Sequence, residues 1–314
     1  LEKQARKDPA AKFVIGSVAE SVEGGTSFSE ALSAQRKTFP DLFINMVRAG
    51  EAAGDLEATL SRLAGFMEKS QRVAKKIKSA MTYPAVVLTI AFAITWGLLT
   101  FIVPKFEEIF RDMLGEEESL PALTNAVLKV SLILKEHWLV SAIVAIVVIA
   151  IFFQLKRTKK GARAIDWAML KLPPMSGLVM RSAVARFAQT LATLLNSGVS
   201  ILQALEIVRD TAGNTIVSDS LQKVHDSVKE GEGMSHPMET TGVFPTMVVS
   251  MVEVGEETGA VSDMLNRVAD IYEEEVDNAV EAMTSLIEPI MIVFLAAIVG
   301  TIVIAMFLPL IAIM

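Results

Sequence analysis

Few residues of this sequence have the types and spacing that catalysis or transition-metal binding requires. The three histidines, His137, His225 and His236, stand far apart, and no His-x-x-x-His, Glu-x-x-His or Cys-x-x-Cys spacing occurs. The chain contains no cysteine, which excludes disulfides and iron–sulfur clusters. We therefore predict no metal site of this kind, with an oxygen-ligand cation site on paired acids as an open alternative.

The sequence also lacks the motifs that are typical of nucleotide binding and of acyl transfer. The sequence has no Gly-x-x-x-x-Gly-Lys phosphate loop and no Gly-x-Ser-x-Gly nucleophile turn. The formal net charge of −7 at pH 7 argues against a nucleic-acid partner, because phosphate binding relies on clustered lysine and arginine. These observations predict a protein that is not an enzyme and that uses no cofactor.

A Gly-Glu-x-x-Gly motif that occurs twice is the most specific local signal. Its members are Gly50, Glu51 and Gly54 in the first copy and Gly255, Glu256 and Gly259 in the second. Glycine permits a left-handed turn or the close approach of two helices, and a glutamate near a helix start can accept hydrogen bonds from free amides. The motif predicts a structural role, with a partner-binding surface at the two glutamates as the alternative.

Charged residues at equivalent positions of the two copies have opposite sign. The basic residues Arg48, Lys69, Arg72 and Lys76 align with the acidic residues Glu253, Glu274, Asp277 and Glu281. One interpretation is that the two long helices, or the same helices in neighbouring copies of the chain, face each other through these charges. The alternative is that the basic residues only follow the positive-inside rule while the acidic residues face solvent.

One further carboxylate, Glu288, directly precedes Pro289 at the start of an apolar stretch. A carboxylate at a membrane edge is costly unless it is paired or hydrated. The position predicts either a basic partner beside another span or a plain interfacial location.

These residues belong to a segment that is present twice. Residues 39–104 align without a gap with residues 244–309, and Pro84 and Pro104 match Pro289 and Pro309. Upstream the alignment continues with a one-residue shift, so that residues 181–206 have no counterpart at the front. The duplication predicts a pseudo-symmetric scaffold rather than an active-site cleft, with a first copy that lacks its first part.

Three charge-free stretches indicate a multi-pass membrane protein. About 20 helical residues cross a hydrocarbon core of ~30 Å, and residues 84–104, 138–155 and 289–313 carry no charge. We predict that each of these stretches is a transmembrane helix.

Basic residues place the remaining segments on either side of the membrane. Lysine and arginine cluster before the first predicted span and after the second, and such clusters mark the cytoplasmic side. The sequence therefore predicts cytoplasmic helical domains at 1–83 and 156–288. Residues 105–137 are predicted to form a periplasmic loop with an amphipathic helix.

Local signals within these segments predict helices and no strands. Ser27-x-x-Glu30 and Ser200-x-x-Gln203 have the spacing of a capping box. A long helix is expected to start near Asp55 and to continue, with a kink, through Pro84. The predicted fold is an all-α membrane protein with two repeated cytoplasmic helical-bundle domains and three transmembrane helices.

Taken together, these motifs resemble the type II secretion system protein F / PilC family over essentially the whole chain. The resemblance is carried by Phe-Pro, Gly-Glu-x-x-Gly and a long helix into a proline-led span, all present twice, and by Ala185-Arg186-Phe187 and Leu194-Leu195-Asn196-Ser197-Gly198-Val199. It implies a non-catalytic platform in the bacterial inner membrane, belonging to a type II secretion or type IV pilus machine.

The resemblance also implies partners. Such platforms contact a cytoplasmic assembly ATPase, other inner-membrane components, pilin-like subunits and membrane lipid, and they form homo-oligomers. A subunit of a membrane transporter or channel is the alternative, and a metal-dependent membrane enzyme is a second one. Both would need polar groups inside the spans, and the predicted spans hold only scattered threonine and serine.

Overall fold

The computed structural model of the chain describes residues 9–114, 121–137, 158–171 and 175–313, together with residues 143, 146, 147, 150, 151 and 153–155. Within these residues the secondary structure is helical and contains no strand, which confirms the all-α prediction. The predicted second span at 138–155 lies largely outside the described residues.

The described residues form the following helices, given in chain order. They are α1 (Pro9–Glu23), α2 (Phe28–Ser33), α3 (Asp41–Ala53), α4 (Leu56–Gly97), α5 (Val103–Leu114), α6 (Ala122–Glu136), α7 (Lys159–Lys171), α8 (Met175–Asn196), α9 (Ile201–Thr211), α10 (Thr215–Lys229), α11 (Ser235–Thr241), α12 (Thr246–Thr258) and α13 (Val261–Ile313). A π-helical turn, Leu98–Ile102, joins α4 to α5.

Side-chain caps fix the starts of several helices. Ser27 before α2 and Asp55 before α4 each accept a hydrogen bond from the backbone N–H three residues later, at 3.3 Å. Asn214 caps α10 by accepting from the N–H groups of the second and third residues that follow it. These caps supply acceptors for amides that have no partner inside their own helix.

The second predicted capping box is wrong. Ser200 is the N-cap residue of α9, but its side chain makes no capping hydrogen bond. The amide of Gln203 instead donates to Oδ1 of Asn45 at 3.0 Å. A contact between distant parts of the chain has replaced the local one.

Both long helices pass through prolines. Helix α4 continues past Pro84, as the sequence predicted, and α13 continues past Pro289 and Pro309. The continuous helical stretches Leu56–Phe110 and Val261–Ile311 are long and apolar enough to cross a membrane. They contain the first of the three predicted spans and all but the last two residues of the third.

Contacts divide the chain into two compact units, which we name by their content. The bundle unit comprises Leu1–Lys75 and Arg163–Ala279, and the span unit comprises Lys76–Ala162 and Val280–Met314. The polar halves of both sequence copies therefore belong to the bundle unit. The domain boundaries predicted at 83 and 156 stay predictions.

The bundle unit has an aliphatic and aromatic core. The ring of Phe187 on α8 is fully buried and lies 5.1 Å from the ring of Phe244, the phenylalanine of the second Phe-Pro pair. Fully or almost fully buried side chains of α2, α3 and α4 provide the core of the first copy, namely Leu32, Ile44, Met46, Val47 and Leu63. Burial of these apolar side chains is the main force that packs the helices.

The span unit has a smaller buried cluster. It consists of Leu99 in the π turn, Val103 at the start of α5, Leu128 on α6 and Ile302 on α13. Helix α6 therefore packs against both long helical stretches.

Candidate functional site

The two Gly-Glu-x-x-Gly motifs lie at the turns that lead into the long helices. We call Gly50–Gly54, between α3 and α4, the first corner, and Gly255–Gly259, between α12 and α13, the second corner. Each corner connects a helix of the bundle unit to a helix that is long enough to cross a membrane.

At the first corner, Glu51 caps a helix that lies far away in the sequence. Its carboxylate accepts hydrogen bonds from the backbone N–H groups of Phe28, at 2.7 Å, and Ser29, at 3.2 Å. These N–H groups lie at the start of α2, where the helix leaves its amides without acceptors and carries partial positive charge. The carboxylate therefore fastens α2 to the end of α3.

The second corner repeats this arrangement. The carboxylate of Glu256 accepts hydrogen bonds from the backbone N–H groups of Met234 and Ser235, the latter at 3.1 Å, at the start of α11. Ser29 and Ser235 are equivalent in the alignment with the one-residue shift. The same glutamate thus makes the same contact in both copies.

Hydrogen bonding also favours the ionised form of Glu51 at the first corner. The hydrogen bond with the Ser29 side chain lowers the pKa of Glu51 below its ordinary value. Partial burial raises the pKa and opposes this effect, whereas the two backbone N–H groups lower the pKa further. The ionised carboxylate is the form that the corner stabilises.

The first glycine of each motif permits close helix packing. A Cβ atom on Gly50 would lie 2.4 Å from Oγ1 of Thr59, and a Cβ atom on Gly255 would lie 2.8 Å from Cα of Val261. Real Cβ atoms do not approach other heavy atoms so closely. Both positions are buried where α3 meets α4 and where α12 meets α13.

The last glycine of each motif ends a helix in the left-handed conformation. Gly54 has φ 72° and Gly259 has φ 70°. In the first corner the N–H of Gly54 bonds the carbonyl of Glu51, and the N–H of Asp55 bonds that of Gly50. The second corner contains the same pair of bonds, and this is the Schellman pattern of helix termination.

Every named position of the motif therefore has a structural task in both copies. The first glycine allows close packing, the glutamate caps a distant helix, and the last glycine forms the turn. A partner-binding surface at Glu51 and Glu256 stays a prediction, and both side chains are partly buried in the capping contact.

Opposite charges of the two long helices are in contact in the bundle unit. Nζ of Lys69 on α4 lies 2.8 Å from Oδ1 of Asp270 and 3.9 Å from Oε2 of Glu273, both on α13. The acidic partners of Lys69 are close in sequence to Glu274, the residue that aligns with Lys69. The Lys69 side chain is about half exposed and the Asp270 side chain is largely exposed, so solvent screens the interaction.

The other charged candidates lie along the same two helices. Arg72 is exposed on α4, and Glu274 and Glu281 are exposed on α13. Lys76 and Asp277 are partly buried. Glu288 is exposed on α13, directly before Pro289. Whether these residues bind a partner stays a prediction.

Two polar contacts between the sequence copies were not predicted. Besides the bond between Gln203 and Asn45, the guanidinium of Arg62 on α4 donates to the backbone carbonyl of Asn196 at the end of α8. Asn196 belongs to the Asn-Ser-Gly turn that carries part of the family resemblance. The first copy thus contacts the turn that follows α8, a segment with no counterpart at the front of the chain.

Metal chemistry receives no support from the part of the chain that the structure describes. There, no group of three or more histidine, cysteine, aspartate or glutamate side chains could hold a metal ion. The polar side chains of the two corners are instead used in helix capping.

The described residues are helical and include two helices long and apolar enough to cross a membrane, each beginning at a helix-capping corner, which suggests a membrane-associated helical protein. The chain matches the family described as Type II secretion system (T2SS), protein F, over residues 1–104 and 187–309. The chain belongs to this family.

Individual relatives show how far the similarity extends. The chain is 46% identical over 305 residues to the type IV pilus assembly protein PilC of Thermus thermophilus, covering 95% of this chain and 72% of the relative. It is 39% identical over 302 residues to the protein of the same name from Myxococcus xanthus, covering 96% and 72%. It is 34% identical over 305 residues to the type II secretion system protein F of Xanthomonas campestris pv. campestris, covering 97% and 74%.

Proposed function

We propose that the chain is a non-catalytic platform in the bacterial inner membrane, part of a type II secretion or type IV pilus machine. In this proposal it couples a cytoplasmic assembly ATPase to the assembly of pilin-like subunits into a filament. The names of the relatives, which refer to pilus assembly and to type II secretion, support this assignment.

One structural observation carries the proposal. The two helices that are long enough to cross a membrane, α4 and α13, each begin at a corner that fastens them to the helices of the bundle unit. A cytoplasmic partner that moves such a bundle would act directly on the bases of two spans. A platform that transmits movement needs this connection, and a free-standing enzyme does not.

The topology of the proposal follows from the positive-inside rule. The bundle unit would face the cytoplasm, and three spans would cross the membrane, the second of them at 138–155. Homo-oligomers, other inner-membrane components, pilin-like subunits and lipid would be the partners within the membrane. A nucleic-acid partner is disfavoured by the net charge of −7.

A transporter or channel subunit is the rival function. Transport of polar solutes through the spans would need polar or charged groups along them. The predicted spans 84–104 and 289–313 contain no charged residue. This composition favours spans that pack against other apolar helices.

The experiment is a binding assay on the full chain in lipid nanodiscs. Cytoplasmic assembly ATPases from the same genome are titrated, and the Kd and the ATP hydrolysis rate are measured with and without the chain. Submicromolar binding by one of them and a changed hydrolysis rate are expected. If none of these ATPases binds at up to tens of micromolar, the platform assignment fails.

Two charge-reversal variants test whether the ATPase contacts α13. Glu274→Lys changes an exposed acid on α13, and Glu230→Lys changes an exposed acid at the end of α10 as the matched control. We expect the first variant to weaken ATPase binding about tenfold, in line with the loss of one complementary charge pair. The control should bind like the unchanged chain.

A further inference from the structure

The repeated prolines at the far ends of the spans, Pro104 and Pro309, leave backbone carbonyls without donors. Proline has no N–H group, so it cannot bond the carbonyl that its position in the helix would otherwise serve. In an apolar surrounding an unpaired carbonyl is expensive, and in transmembrane helices serine and threonine side chains are among the groups that replace the missing donor.

In α13 the replacement comes from a threonine of another helix. Pro309 would have bonded the carbonyl of Ala305, four residues earlier in the α-helix. The hydroxyl of Thr124 on α6 donates to this carbonyl at 2.6 Å. Thr124 is 2% exposed and Ala305 is 1% exposed, so water has no access to the bond.

At the first span the donor is a serine of α6, the helix that also carries Thr124. Within the π turn the bonds reach five residues back, as the N–H of Val103 bonds the carbonyl of Leu98. In that pattern the carbonyl of Leu99 would be served by Pro104, which has no N–H to give. The buried hydroxyl of Ser131 on α6 donates to this carbonyl instead.

The π turn explains why the two carbonyls are not aligned residues. Ala305 aligns with Thr100, one residue after Leu99. A bond that reaches five residues back from Pro104 leads to Leu99, whereas one that reaches four back from Pro309 leads to Ala305. The two hydroxyl contacts are therefore equivalent with respect to the prolines.

Both donors lie on one face of α6. Thr124 and Ser131 are seven residues apart, which is about two helical turns, and the buried Leu128 lies between them on that face. The carbonyls that they reach belong to the charge-free stretches of both spans. On the outside of α6, the apolar side chains of Leu123, Val130 and Ile133 are exposed. Lys129 is exposed beside them, and its long apolar stem lets the ammonium group extend towards the polar membrane surface. Lipid suits such a surface better than water does.

We propose that α6 is a membrane-embedded crossbar that joins the first and third spans, with the hydroxyls of Thr124 and Ser131 replacing the N–H groups that Pro309 and Pro104 lack. This places α6 at the depth of the spans rather than in a loop outside the membrane. The crossbar does not depend on which partner the bundle unit binds.

A double-mutant cycle tests the replacement. Thr124→Val removes the hydroxyl and keeps the side-chain shape, and Pro309→Ala restores an N–H at position 309. In nanodiscs, Thr124→Val should lower the Tm by about 3 °C when Pro309 is present. In the Pro309→Ala background the same change should shift the Tm by less than about 1 °C, because the alanine N–H now serves Ala305. Equal shifts in both backgrounds would overturn the proposal.

A matched control tests whether the dependence on position 309 is specific to a hydroxyl on α6. Thr301 on α13 bonds the carbonyl of Ala297 in its own helix, at 2.6 Å, and is exposed. Thr301→Val should shift the Tm equally with Pro309 and with Pro309→Ala. A dependence of this variant on position 309 as strong as that of Thr124→Val would also contradict the assignment.

Labelling tests the depth of α6 even if the valine variant does not fold. The chain has no cysteine, so single cysteines report without background. Val130→Cys should resist a membrane-impermeant maleimide applied from either side and react only after denaturation in SDS. Glu136→Cys, exposed at the end of α6, should react without SDS. Full reaction of Val130→Cys in intact membranes would show that α6 lies in water.

Discussion

The carboxylate of Glu51 accepts the backbone N–H of Phe28 at 2.7 Å and so joins residues that are 23 positions apart. Glu256 makes the equivalent contact with Met234. The motif that the two copies share thus binds the start of a short helix to the turn from which a long helix begins. Its effect on stability can be measured separately from any effect on partners.

Removing either carboxylate should destabilise the bundle unit. Glu51→Ala or Glu256→Ala leaves two N–H groups at a helix start without their acceptor, and hydrogen bonds to a charged group contribute about 2 kcal/mol. Denaturant titration of the chain in detergent micelles should show a loss of this size in the free energy of unfolding.

The exposed Glu68 on α4 is the control for these variants. Glu68→Ala should change the free energy of unfolding by less than about 0.5 kcal/mol. A similar loss in all three variants would mean that the capping contacts add nothing specific.

The contribution of Glu51 should depend on pH. Its pKa is lowered in the folded chain, whereas an unfolded glutamate has a pKa of ~4.3. The stabilisation is therefore fully present above the unfolded pKa and is lost as the pH falls through the folded pKa. The difference in stability between the unchanged chain and Glu51→Gln, measured from pH 7 to pH 3, should shrink at the acidic end. A difference that grows towards pH 3 would contradict this sign.

Alanine in place of the first glycine should destabilise the chain more at the second corner than at the first. Gly255→Ala forces a Cβ against the backbone of Val261, whereas Gly50→Ala meets the side chain of Thr59. Backbone adjusts less readily than a side chain, so Gly255→Ala should cost more within the usual overpacking range of about 1–3 kcal/mol. Thermal unfolding of both variants in the same micelles gives the comparison.

Gly65 on α4 offers a matched control for this pair. A Cβ there meets nothing within 4 Å. Gly65→Ala should stabilise the chain by about 0.5–1 kcal/mol, because alanine restricts the unfolded state more than glycine does. Destabilisation by Gly65→Ala as large as that of Gly255→Ala would point to a general intolerance of alanine.

The ion pair between Lys69 and Asp270 should contribute little. Its side chains are 45% and 66% exposed, and exposed pairs contribute about 0.2–1 kcal/mol. Lys69→Asp should destabilise by about this amount, and Asp270→Lys in the same chain should recover most of it. The coupling measured from the cycle should fall as salt rises from 0.05 to 1 M. Additive effects of the two changes would show that the pair does not hold the long helices together.

Local structure was predictable where the deciding residues are neighbours in the sequence. The caps at Ser27 and Asp55 follow from side chains that can reach amides three residues later. The same reasoning failed at Ser200, because Gln203 has a partner in the other copy of the repeat. The helices capped by Glu51 and its repeat were not predictable, since packing alone brings such distant residues together.

The span unit shows a similar limit. The repeated prolines are visible in the sequence, and the spacing of Thr124 and Ser131 on one helical face could have identified them as donors. No residue type signals the π turn, since Leu98–Ile102 reads as ordinary apolar span.

The π turn has a consequence for symmetry. Each residue of an α-helix turns the chain by about 100°, and a π turn takes up one residue more than an α turn. Beyond Ile102, positions that align without a gap therefore no longer point in corresponding directions in the two copies. The duplicated segment thus keeps Pro104 and Pro309 aligned in sequence, while the helical phase at which each proline stands differs between the copies by one residue.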